Sequence, residues 1–138
     1  MKRTILPALL SLTIVLIFSG CMTVPKSGDV PADKTVIQLS QMGQESLDKS
    51  NYKAAQVYYQ LIIDRFGTDI KALTAAEFEI AHIKIKQKNY TEARTMLEAI
   101  AARYETAGSV GLRPEYLVLV KNDLARITAL ETKKAAKP

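Results

Sequence analysis

The sequence predicts an all-α protein, a solenoid of helical hairpins with about two repeats and a C-terminal capping helix. Three observations predict it. From Thr35 onward the apolar residues recur at helical spacing, without the sustained period-two alternation of a half-buried strand. Val and Ile do not cluster between turn signals as they do in strands. Finally, Asn51-Tyr52-Lys53-Ala54-Ala55 returns as Asn89-Tyr90-Thr91-Glu92-Ala93, an offset of 38 residues, and self-similarity at such a period marks stacked helical pairs.

Five helices are predicted, over about 35–49, 52–66, 70–88, 90–104 and 114–132. Ser50-Asn51 and Lys88-Asn89 form the first and third turns. Gly67-Thr68-Asp69 ends the second helix, and Asp69 caps the third by accepting from free first-turn amides. Pro114 suits the first turn of the last helix, where a missing N–H costs nothing. Within helix 70–88, Leu73, Ala76, Ile80 and Ile83 form one stripe and Phe78, Ala81 and Ile85 another, so this helix is expected in the middle of the stack. Helix 114–132 carries a single stripe, Leu117, Val120, Leu124 and Ile127, as an end cap should.

The repeat extends beyond the shared words. At the same offset Gly43 matches Ala81, Met42 matches Ile80, Leu47 matches Ile85, Ile62 matches Ile100, Arg65 matches Arg103 and Phe66 matches Tyr104. Gly43 and Ala81 are expected at helix crossings, where a large side chain would hold the pair apart, with Ala55 and Ala93 answering from the partner helices. Tyr52 and Tyr90 follow the turns and pack back across each pair. Small residue, turn, aromatic, two residues, alanine: this order resembles the tetratricopeptide repeat over about residues 36–107, with a four-residue extension at Ile70 to Leu73. The chain departs from that pattern in lacking a closing proline, in Ser46 and Lys84 where tyrosine is usual, and in Glu77 where a bulky residue is frequent.

The N-terminus has a different character. Lys2 and Arg3 precede an apolar run from Ile5 to Phe18, too short to span a bilayer, and Ser19-Gly20 precede the sole cysteine, Cys21. Phe18-Ser19-Gly20-Cys21 resembles a bacterial lipobox. The resemblance implies removal of residues 1–20 as a signal peptide and a covalent lipid, with acyl chains such as palmitate, on Cys21. Residues 21–34, with two prolines and a glycine, read as the lipidated cysteine and a flexible tether of about 20 Å. The helical domain then occupies 35–132, and 133–138 form a basic tail. Loss of Lys2 and Arg3 lowers the formal charge of +5 by two, and lipidation of Cys21 leaves no thiol for a disulfide.

Catalysis, metal binding and nucleic-acid binding are not expected. The chain has one histidine, His82, and six scattered glycines, with carboxylates spread along exposed faces and no basic stripe interleaved with aromatics. No cofactor other than the Cys21 lipid is implied. By resemblance to the repeat family, the first helices border a concave partner groove formed by Ile37, Ser40, Gln44, Leu47, Asp48, Phe78, His82, Ile85 and Lys86, although Phe78 and Ile85 read equally as core. Tyr58 or Ile63 faces outward from the second helix, as a partner surface or as a seat for the tether or terminal helix.

Lipobox, tether and repeats together look like a shortened BamD-type outer-membrane assembly lipoprotein, with similarity also to periplasmic partners of the Tol-Pal system. That resemblance implies a lipid-anchored interaction scaffold facing the periplasm from the outer membrane, with protein partners in the envelope. Two and a half repeats are lean for independent stability, which suggests completion by a partner or by self-association. Other readings are a pilot lipoprotein of a secretion or pilus system, a lipoprotein that passes a small ligand to a transporter, and a tether to the cell wall through the basic tail.

Overall fold

The computed structural model describes residues 23–106 and 110–136. The described residues form five helices: α1 (Val36–Asp48), α2 (Tyr52–Phe66), α3 (Ile70–Lys86), α4 (Tyr90–Thr106) and α5 (Pro114–Ala135). A 3-10 turn over Ser27–Asp29 precedes them. Consecutive helices pack against each other, and α5 also reaches α3. The protein is thus an all-α solenoid of two helical hairpins plus a capping helix. Cys21 and the signal segment lie outside the described residues, as does the end of the basic tail.

Local chemistry sets each boundary. Thr35 accepts from the Gln38 N–H while Gln38 Oε1 accepts from the Thr35 N–H, a reciprocal cap on α1. The Asn51 side chain accepts from the Ala54 N–H, and Asp69 accepts from the amides of Lys71 and Ala72. Pro114 begins α5. Helix α3 begins one turn earlier than α1 in the repeat frame, which accounts for the insertion at Ile70 to Leu73.

The two repeats close their first helices identically. Ser50 and Lys88 take left-handed φ values of 56° and 63°. Asn51 N–H then donates to Ser46 O at 2.8 Å and Asn89 N–H to Lys84 O at 2.9 Å, the Schellman closure that usually recruits glycine. This reversal ends α3 at Lys86, two residues before the expected stop. Because a side chain is strained there, Ser50→Gly is expected to stabilise the fold by about 0.5–1 kcal/mol, net of the extra freedom glycine gives the unfolded chain. Thermal melts followed by circular dichroism check this as a rise in Tm of a few degrees.

The small residues of the repeat lie inside the stack. Gly43 lies against the Tyr59 ring, and Ala55, Ala81 and Ala93 have no exposed surface. Tyr52 and Tyr90 pack at the margins of the two cores. Helix α3 separates those cores: Ala76, Ile80 and Ile83 join the first, with Leu39, Tyr59 and Ile62. Phe78, Ala81 and Ile85 join the second, with Leu97, Ile100, Val120 and Ile127. The matched arginines share a role as well. Arg103 Nη1 donates to Thr74 Oγ1 at 2.9 Å. Its approach to Glu77 Oε2 at 2.7 Å is consequently an ion pair without an aligned hydrogen bond, which leaves that buried oxygen unsatisfied. Arg65, one repeat earlier, donates to Pro31 O and Val30 O at 2.8 and 2.9 Å.

That contact corrects the reading of residues 23–34 as a free coil. The segment is a strap lying along α2. Asn51 Nδ2 donates to Thr23 O at one end, Arg65 holds Val30 and Pro31 at the other, and the Val30 side chain is buried in the first core. Composition missed this because one apolar side chain and two backbone carbonyls suffice to pin a Pro-containing segment that loses little entropy on ordering. Tyr59 and Ile62 face inward, while Val57, Tyr58 and Ile63 are half-buried at the margin of the core that Val30 joins.

Candidate functional site: a concave cavity between the first helices

Helices α1, α3 and α5 run along one side of the stack and enclose a cavity of about 430 Å³. Gln44, Leu47, Asp48, Ser50 and Tyr52 form one wall, Phe78, Glu79, His82 and Lys86 the next, and Leu119, Asn122 and Asp123 the third. A second cavity, about 310 Å³, adjoins it and shares Gln44 and Glu79, with Ser40, Tyr59 and Tyr116 among its walls. Of the residues expected in the groove, Gln44, Leu47, Asp48, Phe78, His82 and Lys86 line the first cavity and Ser40 the second.

Ile37 and Ile85 line neither. Ile85 is one turn from Ala81, so it faces α4 and is buried in the second core at 3% exposure. Ile37 stands in the first turn of α1 with its surface left to solvent, 79% exposed, while Val36 supplies the cavity wall. Phe78 fulfils both readings offered for it. Its ring is part of the second core, and it also forms cavity wall, edge-on to Tyr116 with ring centroids 5.5 Å apart.

The contributions from α5 are new relative to the sequence reading. His82 Nδ1 donates to Asp123 Oδ2 at 2.7 Å across the α3–α5 junction, and Arg126 approaches the other carboxylate oxygen at 4.0 Å. A carboxylate 8% exposed needs such a partner. One signal was available: Asp123 follows Val120 by three residues, at the edge of the apolar stripe of α5, where an acid demands a counterpart. The pair fixes the imidazole against the cavity wall through one nitrogen, as carboxylates orient histidines elsewhere. Ser50 shares the cavity, but no hydrogen bond joins its hydroxyl to His82. Among the described residues no group of three or more His, Cys, Asp or Glu is placed to hold a metal ion.

Glu79 sits where the two cavities meet. Burial pushes its carboxyl above the usual carboxylate range, Asp123 adds to that push, and His82 and Lys86 oppose it. The sign follows from linkage. An acid whose folded pKa is raised binds more protons folded than unfolded, so stability falls as pH rises from the ordinary glutamate range through the raised value. Glu79→Gln is therefore expected to be more stable than the natural chain at pH 7, with the gain disappearing at about pH 4. Urea titrations at the two pH values check it.

The fold and site together define a class: a short helical-hairpin solenoid whose first helices and cap surround an open cavity of mixed charge. No family model matches the chain, and no solved structure matches it significantly. An uncharacterized protein of Treponema pallidum (strain Nichols) is 40% identical to it over 121 residues, covering 88% of this chain and 48% of that protein. The chain thus spans about half the length of the curated relative it matches.

Proposed function

We propose that this chain is a lipid-anchored scaffold on the periplasmic face of the outer membrane, an accessory subunit of an envelope assembly complex of the outer-membrane protein assembly type. The observation that supports it most is the cavity, which joins both hairpins and the cap into one recognition surface. Its apolar surfaces, Leu47, Phe78 and Leu119, stand among Asp48, Glu79, His82, Lys86 and Asp123. Such a surface suits a protein segment that buries an apolar side chain and offers polar or basic groups around it. Cys21 carries the anchor in this reading, through the lipobox resemblance. No described helix is long and apolar enough to cross a membrane.

Purification from detergent-solubilised envelopes tests both parts. Intact mass is expected to show an acylated N-terminal cysteine, and the co-purifying chains are expected to be barrel-assembly, Tol-Pal or secretion components. Leu119→Glu, at a side chain 42% exposed, should remove them while the melting temperature holds. Retention of the same partners by Leu119→Glu would place recognition elsewhere on the molecule.

The oriented imidazole of His82 favours a second reading, a small-ligand carrier, because the cavity volume lies within the range of small-molecule sites. A metabolite that raises the melting temperature of the natural chain but not of His82→Ala would select that reading over the scaffold.

A further inference from the structure

We infer that the turn end of the solenoid, where Asn51 holds Thr23, is a docking surface for an anionic phospholipid bilayer; this rests on the lipid-anchor reading. Successive helices run antiparallel, so one end gathers the C-termini of α1, α3 and α5 and the N-termini of α2 and α4. Lys49, Lys53, Lys88, Lys133 and Lys134 are exposed there. Of the carboxylates at that end, Glu92 is paired with Lys84 at 3.0 Å and Glu131 with Arg94 at 2.6 Å, which leaves Glu45 and Asp48 against the lysines. The opposite end carries Asp29, Asp33, Asp64, Asp69, Glu105 and Glu115 against Lys34 and Lys71, while Arg65 is engaged by the strap and Arg113 by Glu115, so that end stays acidic.

Lysines in the last turn of a helix complement its dipole, and this accounts for Lys133 and Lys134. It does not account for Lys53, in the first turn of α2, where the dipole disfavours a cation. Lys88 follows the C-terminus of α3 and is held in a left-handed turn where glycine is usual. Lys88, Lys133 and Lys134 also surround a shallow groove of about 470 Å³ floored by Tyr90 and Leu130. Ammonium groups around an apolar floor match an acidic headgroup and the glycerol below it.

The strap supplies the independent observation. Asn51 holds the Thr23 carbonyl at this same end, and Cys21 precedes Thr23 by two residues. Two residues reach about 7 Å at most, so in the lipid-anchor reading a lipid on Cys21 holds the lysine end close to the bilayer surface. The concave cavity then runs away from the membrane along the stack, with its partner face to the side.

The test uses the protein purified from envelopes and reconstituted in vesicles of phosphatidylcholine alone or with about one third phosphatidylglycerol. Amide hydrogen exchange is expected to slow about tenfold at 49–53, 88–90 and 130–135 on the anionic vesicles only, and to recover in 0.5 M salt. Lys88→Glu/Lys133→Glu should abolish the protection, whereas Lys34→Glu/Lys71→Glu, an equal charge change at the far end, should leave it. Protection equal on both vesicle types, or absent from both, overturns the inference. Intact mass of the same sample scores the anchor separately. Should Cys21 carry no lipid, salt-sensitive sedimentation with phosphatidylglycerol vesicles still decides whether the lysine surface binds.

Discussion

Gly43→Leu is expected to destabilise the domain by at least about 3 kcal/mol, a large share of the 5–15 kcal/mol that holds a typical domain folded. A β-carbon at position 43 would lie 2.7 Å from Tyr59 Cζ and 2.9 Å from Cε2, closer than real β-carbons approach. The Tyr59 ring is buried among Leu39, Ala55 and Ile62, and moving it toward the second cavity gives up that packing. A single methyl in Gly43→Ala forces the ring aside at about 1–3 kcal/mol, partly offset by the roughly 1 kcal/mol by which alanine favours a helix over glycine. Leucine adds three more carbons and drives α1 off α2, so it has no such offset. Urea unfolding followed at 222 nm measures the loss. Glu45→Leu, on the exposed side of α1, should stay within about 0.5 kcal/mol of the natural chain. Partial recovery in Gly43→Leu/Tyr59→Ala would trace the effect to this contact, and a Gly43→Leu variant that melts with the natural chain would refute the crossing.

Phe78→Ala is expected to cost about 3–5 kcal/mol, the range for deleting a buried aromatic side chain. The ring is 6% exposed, meets Tyr116 edge-on and lies with its centroid 6.0 Å from that of His82. Its loss removes apolar burial, leaves a void between α3 and α5, and forfeits the aromatic pair. It also withdraws the shared support of His82 and Tyr116, so the cavity wall and the second core should loosen together. Phe78→Leu keeps most of the volume and is expected to lose only about half as much. A lowered urea midpoint with unchanged slope is the expected signature. A Phe78→Ala loss below about 1 kcal/mol would mean that α5 is not secured through this ring.

The sequence carried the hairpins because local and global signals agree in them. Side-chain caps open α1, α2 and α3, Pro114 opens α5, and the small residues repeat at the same offset, so Gly43, Ala81, Ala55 and Ala93 were legible as packing residues. The double stripe of α3 announced its central place. What escaped was long-range. His82 and Asp123 are 41 positions apart on helices that do not follow one another, and the acid at the edge of the α5 stripe does not say which residue meets it. Resemblance to the repeat family assigns Ile85 to the groove, although the stripe it shares with Phe78 and Ala81 turns it into the second core. The strap was read by composition, whereas the structure pins it through Val30 and two carbonyls. The match of Arg65 to Arg103 was the clue, since both arginines bind the chain that leads into, or begins, the first helix of their hairpin.

Site-specific photocrosslinking in intact cells tests the scaffold most directly. A photoreactive residue at position 119 projects from the cavity wall, and one at position 98 stands exposed on α4, which contributes nothing to the cavity. The account predicts a discrete adduct with an envelope assembly protein from position 119 and none from position 98. Adducts from position 98 alone, or none from either position, would contradict it.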